Sequence, residues 1–274
     1  MPFEQVEPDM QFPEGFMLRE PYALVLRSPL FAALEAHSAR FNQANQALLA
    51  RYERKWVLDP LHQWSRQYEY PYVATRVAGA RRLLDAGSGF SFFPYYLAER
   101  DPDLEIACVD SDAALGELHA ASSLRTPRIG FTACDMRATG LASASFDAIS
   151  CISVLEHTDA YGEIVDEFHR LLTPGGALVL TFDVSLDGRS EISQDRLPAF
   201  LARLEAKFRY LAPPDLTALA SDALVRTTDF TRASGLLPWR HPRLSAALAA
   251  LKKGRLPRGA MKRLGCCCLT LYKR

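Results

Sequence analysis

The stretch Leu83-Leu-Asp-Ala-Gly-Ser-Gly-Phe-Ser91 decides the fold. Two leucines and an acid end a short strand, and two glycines then turn the chain into the next helix. Because glycine has no Cβ, the backbone of such a turn can approach a bound ligand closely. The stretch therefore predicts a ligand site at the carboxyl end of a strand, which is where open α/β sheets bind their ligands.

Short apolar runs alternate with helical patterns downstream of this stretch. We expect strands at residues 82–85, 105–110, 129–134, 146–152, 177–182, 224–228 and 266–272. We expect helices at residues 92–100, 113–122, 161–172, 194–209, 214–221 and 242–253. This alternation predicts an α/β fold in which helices cover both faces of a doubly wound, mostly parallel sheet of seven strands.

The first 80 residues have a different rhythm. Residues 1–28 contain several prolines and are expected to form an irregular arm. An apolar helical face then runs from Leu30 to Trp56, with the polar Asn45 interrupting it. An aromatic segment, Trp64–Tyr72, leads into another helix that ends near Gly79.

These features predict two units along the chain. Residues 1–80 form an arm and a helical lid, and residues 81–274 form the ligand-binding domain, with 186–263 as an insert on the substrate side. The lid must pack on the sheet to bury its apolar faces. Its expected place is the carboxyl edge of the strands, where a cover would exclude water.

Charge is unevenly distributed, although the net charge is zero. From Val225 onward there are twelve Lys or Arg residues and one acid, Asp229. This basic end indicates either an anionic partner or packing against the acidic remainder of the chain. Both interpretations stay open on the sequence alone.

Cysteine use indicates a reducing compartment. Three of the six cysteines lie in apolar runs, and Cys266, Cys267 and Cys268 are contiguous, a spacing that fits neither a metal site nor a disulfide framework. We therefore expect buried thiols and no bound metal. Residues 1–20 lack the apolar stretch of a signal peptide, and no run reaches the length of a membrane span. These observations predict a cytoplasmic protein.

Further motifs follow the later strands. Val109-Asp-Ser-Asp112 ends the second strand, and Cys134-Asp-Met136 follows the third. The fourth strand runs into Glu156-His157, and a tight Pro174-Gly-Gly176 turn precedes the fifth. A dinucleotide fingerprint is disfavoured, because the position of its third glycine holds the bulky Phe92.

Taken in this order, the motifs resemble those of the class I S-adenosylmethionine-dependent methyltransferases, which have a Rossmann-like fold. The resemblance covers residues 82–183, and the last strand is similar to the antiparallel final strand of that family. It implies S-adenosyl-L-methionine as the cofactor. The residues it assigns to cofactor binding are Asp85, Gly87, Ser88, Gly89, Asp110, Ser111, Asp135, Met136 and Ser153.

The resemblance also implies individual roles. Gly87 and Gly89 would flank the methionine part of the cofactor, and Asp85 would hold its ammonium group. Asp110 would accept the ribose hydroxyls, although a strand-end acid can instead cap the next helix. Asp135 would receive the adenine amino group, with Met136 beside the base.

Two residues are candidates for acting on the methyl acceptor, His157 and Asp183. His157 could take a proton from a hydroxyl at neutral pH, but a structural or cofactor-side role is favoured, because Glu-His is widespread at this place in the family. Asp183, at the end of the fifth strand, is another candidate. Cys151 is interpreted as a core thiol, and Tyr68, Tyr70 and Tyr72 as core aromatics.

The sequence thus predicts methyl transfer to an O or N nucleophile of a small molecule. The basic C-terminal region would favour a small molecule that carries negative charge. RNA or protein methylation by that basic region is the second interpretation, so nucleic acid is a less favoured partner. A third is a binding protein that keeps the fold without catalysis. Neither the acceptor nor the oligomeric state follows from the sequence.

Overall fold

The computed structural model describes residues 12–51, 61–188, 192–231, 234–237 and 262–274. In these ranges the α-helices are α1 (Arg19–Val25), α2 (Pro29–Ala44), α3 (Gln46–Arg51), α4 (Arg66–Arg76), α5 (Phe93–Arg100), α6 (Leu115–Ala121), α7 (Tyr161–Leu171) and α8 (Leu197–Lys207). The strands are β1 (Gly15–Phe16), β2 (Arg82–Ala86), β3 (Glu105–Asp110), β4 (Ile129–Ala133), β5 (Phe146–Ile152), β6 (Leu172–Ser185), β7 (Phe208–Tyr210) and β8 (Leu264–Lys273).

One mixed sheet contains all of these strands. Its order is β1-β8-β6-β5-β2-β3-β4, and β7 also pairs with β8. Strands β2 to β6 are parallel, and β8 runs antiparallel to β6. The predicted parallel sheet with an antiparallel last strand is confirmed. Two short strands, β1 and β7, extend it by covering successive parts of the outer edge of β8.

The central strands are buried on both faces. Leu83 and Leu84 are neighbours in β2, yet they belong to two different apolar cores on opposite sides of the sheet. One core is closed by the N-terminal helices with α5 and α6, and the other by α7 and α8. Near-continuous apolar strands are what a parallel sheet covered by helices on both sides requires.

Two polar side chains set the limits of α2. The Ser28 hydroxyl accepts the Phe31 N–H at 3.0 Å, which caps the start of the helix before Pro29. At the other end, Asn45 is buried; its Nδ2 donates to the Phe41 carbonyl, and its Oδ1 accepts the Ser123 N–H at 3.0 Å. The predicted interruption at Asn45 is therefore a helix end tied to the loop after α6. Trp56, which the pattern included, lies outside the described residues.

Helices α2 and α4 pack beside the glycine turn. The ring of Phe41 in α2 lies 5.1 Å from that of Phe90, the residue after Gly89. The ring of Tyr70 in α4 lies 4.7 Å from that of Phe93, at the start of α5. These contacts cover one side of the carboxyl edge with aromatic surface.

The expectation of an irregular arm over residues 1–28 is wrong for its described part. Residues 15–16 form β1 and residues 19–25 form α1, and Phe12, Phe16 and Met17 are buried. The carboxylate of Glu14 accepts the Thr270 N–H of β8, which continues the pairing that β1 begins. Residues 12–28 are thus part of the folded core.

Two expectations in the second half of the chain are also wrong. Residues 224–228 make only single bridges to neighbouring chain, because the Thr227 hydroxyl bonds to the Lys262 carbonyl and the Leu264 N–H and turns the segment into a short 3-10 helix. The helix expected to reach residue 209 ends at Lys207, and the chain continues as β7. The helix expected at 242–253 lies outside the described residues.

Replacing Glu14 by Ala should destabilise the protein. The Glu14 side chain is 5% exposed, pairs with Arg76, and accepts the Tyr72 hydroxyl as well as the Thr270 N–H. Removing one partner of a buried ionic network costs about 3 kcal/mol. Chemical denaturation should show this loss for Glu14→Ala and almost none for Glu20→Ala on the exposed side of α1. Equal stabilities would show that the arm contributes nothing to the core.

Candidate functional site

The sheet has one topological switch point, between β2 and β5. From β2 the chain moves outward to β3 and β4, then returns to β5 on the other side of β2. The Ser150 hydroxyl of β5 donates to Asp85 Oδ1 of β2 at 2.9 Å across this junction. Burial, with a smaller contribution from the charge of Asp110, raises the pKa of Asp85 to about 6, although the hydrogen bond from Ser150 opposes the shift. Crevices at such switch points are where open α/β sheets bind ligands.

The glycine turn lines this crevice. Gly87 has φ +72°, and a Cβ there would lie 2.5 Å from Val154 Cγ2, so a side chain would collide with the segment after β5. Gly89 has φ +55°, and a Cβ there would meet no atom within 4 Å. The turn is therefore closed towards Val154 and open above Gly89, as a cradle for a ligand should be.

Asp110 fastens the turn to β3. Its Oδ2 accepts the Gly89 N–H and its Oδ1 accepts the Asp112 N–H, both at 3.1 Å. A carboxylate offers about four acceptor positions, so capacity remains for two hydroxyl donors. Ser88 and the exposed Ser111 lie next to these contacts. The residues present fit the ribose and methionine ends of S-adenosylmethionine.

His119 supports the same turn, and sequence reasoning missed it. Its Nε2 lies 2.9 Å from the Gly89 carbonyl oxygen and its Nδ1 3.1 Å from the Tyr95 hydroxyl. A carbonyl can only accept, so Nε2 carries the proton and Nδ1 accepts from Tyr95. Burial lowers the pKa of His119, which keeps the ring neutral, and Phe131 stacks on it at 4.9 Å. A histidine within a short helix gave no sequence signal of this contact.

Asp135 lies at the end of β4 with its carboxylate exposed. Arg137 donates to it through its backbone N–H and its guanidinium, and these hydrogen bonds lower the pKa of Asp135 to about 2. Met136 beside it is half-buried against the second core. Asp135 is thus ionised and oriented, and its contact with adenine stays a prediction.

Ser153 marks the carboxyl end of β5. It has φ +47°, a left-handed conformation that costs a non-glycine residue about 1 kcal/mol or more. Its N–H donates to the Thr181 carbonyl at 2.8 Å, and its hydroxyl donates to Glu69 Oε1 at 2.7 Å. Helix α4 is thereby fixed directly over the end of β5.

Around Ser153 lies a group of buried ionisable side chains, here called the inner acid cluster: Arg66, Glu69, Glu156 and Asp183. Burial favours a raised pKa for Glu69, but the Arg66 guanidinium and hydrogen bonds from Thr181 and Ser153 hold it below its ordinary value. Burial raises the pKa of Glu156 well above its usual range, and the Asp183 charge adds to the effect. Burial and the Glu69 charge raise the pKa of Asp183 to about 7. Glu69 and Arg66 carried no sequence signal.

The remaining candidates divide between surface and core. His157 is exposed at the end of the 3-10 helix Leu155–His157, whereas its neighbour Glu156 points inward. Cys151 is fully buried, and Tyr68, Tyr70 and Tyr72 are core residues, as predicted. Among the described residues, no helix is both long and apolar enough to cross a membrane.

The region around the glycine turn is similar to known proteins. Residues 84–180 match the family model of a methyltransferase domain. A demethylmenaquinone methyltransferase of Deinococcus radiodurans is 34% identical over 101 residues, which cover 36% of this chain and 42% of that protein. A malonyl-[acyl-carrier protein] O-methyltransferase of Enterobacter lignolyticus is 30% identical over 113 residues, which cover 41% and 43%. The matches thus span less than half the length of these two relatives.

A solved structure shares the fold over most of the chain. The [4+2]-cyclase SpnF superposes with a TM-score of 0.50 at 20% identity, covering 86% of this chain and 94% of that one. The likeness confirms the predicted fold class. Because that protein is named for a cyclisation, the fold by itself does not fix the reaction.

Replacing Asp110 by Ala should weaken binding of S-adenosylhomocysteine about tenfold to a hundredfold. The variant loses the acceptor for Gly89 and for the ribose hydroxyls, and hydrogen bonds to a charged group contribute about 1.5–3 kcal/mol. Isothermal titration calorimetry measures the effect, with Asp103→Ala at the opposite end of β3 as the control. An unchanged dissociation constant in a folded Asp110→Ala protein would reduce Asp110 to a strand-end cap.

Replacing His119 by Phe should weaken the same binding about threefold to tenfold. Phe keeps a ring against Phe131 but removes the donor to the Gly89 carbonyl, and a neutral hydrogen bond contributes about 0.5–1.5 kcal/mol. His119→Gln, which keeps an N–H donor, should recover part of the affinity. His169→Phe, on α7, controls for the loss of a histidine. If all three variants bind like the wild type, His119 has only a packing role.

Proposed function

We propose that this chain, whose residues 84–180 match a methyltransferase domain, is a class I S-adenosylmethionine-dependent methyltransferase that transfers a methyl group from S-adenosyl-L-methionine to an O or N nucleophile of a small molecule. The observation that carries the proposal is the glycine turn at the switch point. It is open above Gly89, fastened by Asp110 and lined on its far side by Val154.

The cofactor would be held by residues from three strand ends. Gly87, Ser88 and Gly89 would contact its methionine part, Asp110 and Ser111 its ribose, and Asp135 with Met136 its adenine. Asp85 and Ser153 would line the amino-acid end. When bound, the cofactor supplies a sulfonium methyl group that is already reactive, so the main tasks of the protein are alignment and exclusion of water.

A small acceptor is favoured over a macromolecule. Helix α4 covers the ends of β5 and β6, and the polar groups beneath it are buried. One relative is named for a small molecule, as a demethylmenaquinone methyltransferase. Another is named a malonyl-[acyl-carrier protein] O-methyltransferase, in which the acceptor group is carried by a protein. The alternative of RNA or protein methylation rests on the basic C-terminal charge, most of which lies outside the described residues.

The acceptor would lie between the N-terminal helices and the segment 186–263. Residues 1–80 would then be the unit that carries the lid, and residues 81–274 the main domain. His157 is exposed near this place and is a weaker candidate for proton transfer than the groups buried beside it. Because Phe12, Phe16 and Met17 are core residues, removal of residues 1–28 would damage the fold, so truncation cannot test the lid.

We expect S-adenosylhomocysteine and S-adenosylmethionine to bind, and NAD to bind far more weakly. Asp110 would accept the hydroxyls of one ribose. Phe92, which is buried and packs on Tyr70, would block the close helix approach of a dinucleotide fold. Calorimetric titration of the same protein with the three ligands decides between them. Tighter binding of NAD would overturn the proposed function, and binding of none would favour a protein that keeps the fold without the reaction.

A further inference from the structure

The inner acid cluster contains carboxyl oxygens that the fold leaves without partners. Glu156 is 3% exposed, and neither of its carboxyl oxygens has a hydrogen-bond partner among the described residues. Asp183 is partly exposed as a residue, but its Oδ1 is enclosed and likewise lacks a partner in that part of the chain. Buried polar atoms are nearly always satisfied, so three open oxygens in one place indicate a missing ligand.

The cluster holds three carboxyl groups and one guanidinium, that of Arg66. The guanidinium of Arg66 pairs with Glu69, and Glu69 also accepts the Ser153 hydroxyl, which satisfies that pair. Glu156 and Asp183 are left with no salt bridge of their own in the described part of the chain. The other ionisable groups that face Asp183 are Lys262, which precedes β8, and the neutral thiols of Cys266 and Cys268.

Burying a carboxyl group without a hydrogen-bond partner or a counter-charge costs folding free energy. In the described residues no group of three or more His, Cys, Asp or Glu side chains is arranged as a metal site, which favours an organic cation. An anion would be repelled by the same oxygens. A group with several N–H donors and a positive charge fits both the open lone pairs and the charge.

The residues of the cluster lie beside the glycine turn. Glu156 follows Ser153 by three residues, and Val154 between them packs under Gly87 of that turn. Asp183 lies within β6, two residues after Thr181, which pairs with Ile152 of β5. Glu156 and Asp183 are therefore near the carboxyl ends of β5 and β6, next to the glycine turn.

We propose that Glu156 and Asp183 bind the protonated nitrogen of the methyl acceptor, so that the acceptor is a primary or secondary amine. This inference rests on the proposed function and narrows it from O or N nucleophiles to amines. The basic C-terminal region led us to expect an anionic acceptor. Under this proposal the reacting group of the acceptor is instead an amine.

Asp183 has a second task in this arrangement. An ammonium nitrogen has no lone pair and must lose a proton before it can act as a nucleophile. The carboxylate of Asp183 accepts that proton and becomes a carboxyl, and later releases the proton to solvent through its exposed side. Burial is the main cause that raises the pKa of Asp183 to about 7. Asp183 is therefore mostly ionised above pH 7 and can accept a proton there, and it loses this capacity as the pH falls below 7.

The test uses sinefungin, a cofactor analogue that carries an amine-bearing carbon in place of the methylated sulfur. Its ammonium group would occupy the place between cofactor and acceptor. We expect sinefungin to bind about tenfold or more tightly than S-adenosylhomocysteine at about pH 8, because charge-assisted hydrogen bonds to Glu156 and Asp183 are available to the ammonium. Calorimetry gives both dissociation constants, and their ratio cancels contacts that the two ligands share.

Substitutions in the inner acid cluster test whether Glu156 and Asp183 cause the preference for sinefungin over S-adenosylhomocysteine. Glu156→Gln and Asp183→Asn should each reduce the ratio towards one while keeping affinity for S-adenosylhomocysteine, which also shows that each variant is folded. Glu105→Gln, at the opposite edge of the sheet, should leave the ratio unchanged. In the wild type the ratio should rise from about pH 6 to about pH 8, as Asp183 ionises.

The outcomes separate this inference from the proposed function. Equal affinities for sinefungin and S-adenosylhomocysteine, or a preference that survives in both variants, would overturn the amine site while leaving the methyltransferase assignment intact. Failure of S-adenosylhomocysteine to bind the wild type would overturn the proposed function itself. A pH-independent preference would remove Asp183 from the site.

Discussion

The hydrogen bond from the Gly89 N–H to the Asp110 carboxylate is the contact on which the site depends. It joins the turn after β2 to the end of β3, and so fixes the backbone over which a ligand must lie. Two further contacts lock the same turn: His119 donates to the Gly89 carbonyl, and Val154 fills the space that a side chain at position 87 would need. The turn is thus rigid on three sides and open on one, which is how a site can be prepared before its ligand arrives.

The other end of the crevice is built at a cost to stability. Helix α4 brings Arg66 and Glu69 over the end of β5, where Ser153 keeps a left-handed backbone. Beneath it Glu156 and Asp183 hold carboxyl groups that the protein alone does not compensate. Backbone strain and unpartnered buried polar atoms in one place often mark a part of a structure that is shaped for a ligand and not for its own stability. The apolar cores on both faces of the sheet supply the stability that permits this.

Much of the fold followed from periodicity, because β2 to β6 and the helices between them follow simple apolar patterns closed by glycine and proline turns. Edge strands escaped prediction: β1 and β7 are two and three residues long, and they form only because β8 offers an outer edge. The glycine turn and Asp110 could be predicted, since each sits at a strand end. Glu69 and His119 could not, because their roles arise from how separate helices pack, and Asn45 was noticed only as an interruption of a pattern.

We expect the cofactor to lie across the Gly87–Gly89 turn, with its ribose on Asp110 and its reactive end facing Glu156 and Asp183. A crystal structure of the protein bound to S-adenosylhomocysteine tests this most directly. The account predicts ribose hydroxyls within hydrogen-bond distance of the Asp110 carboxylate and the thioether sulfur turned towards the inner acid cluster. A ligand bound at another edge of the sheet, or one whose sulfur points away from Glu156 and Asp183, would contradict it.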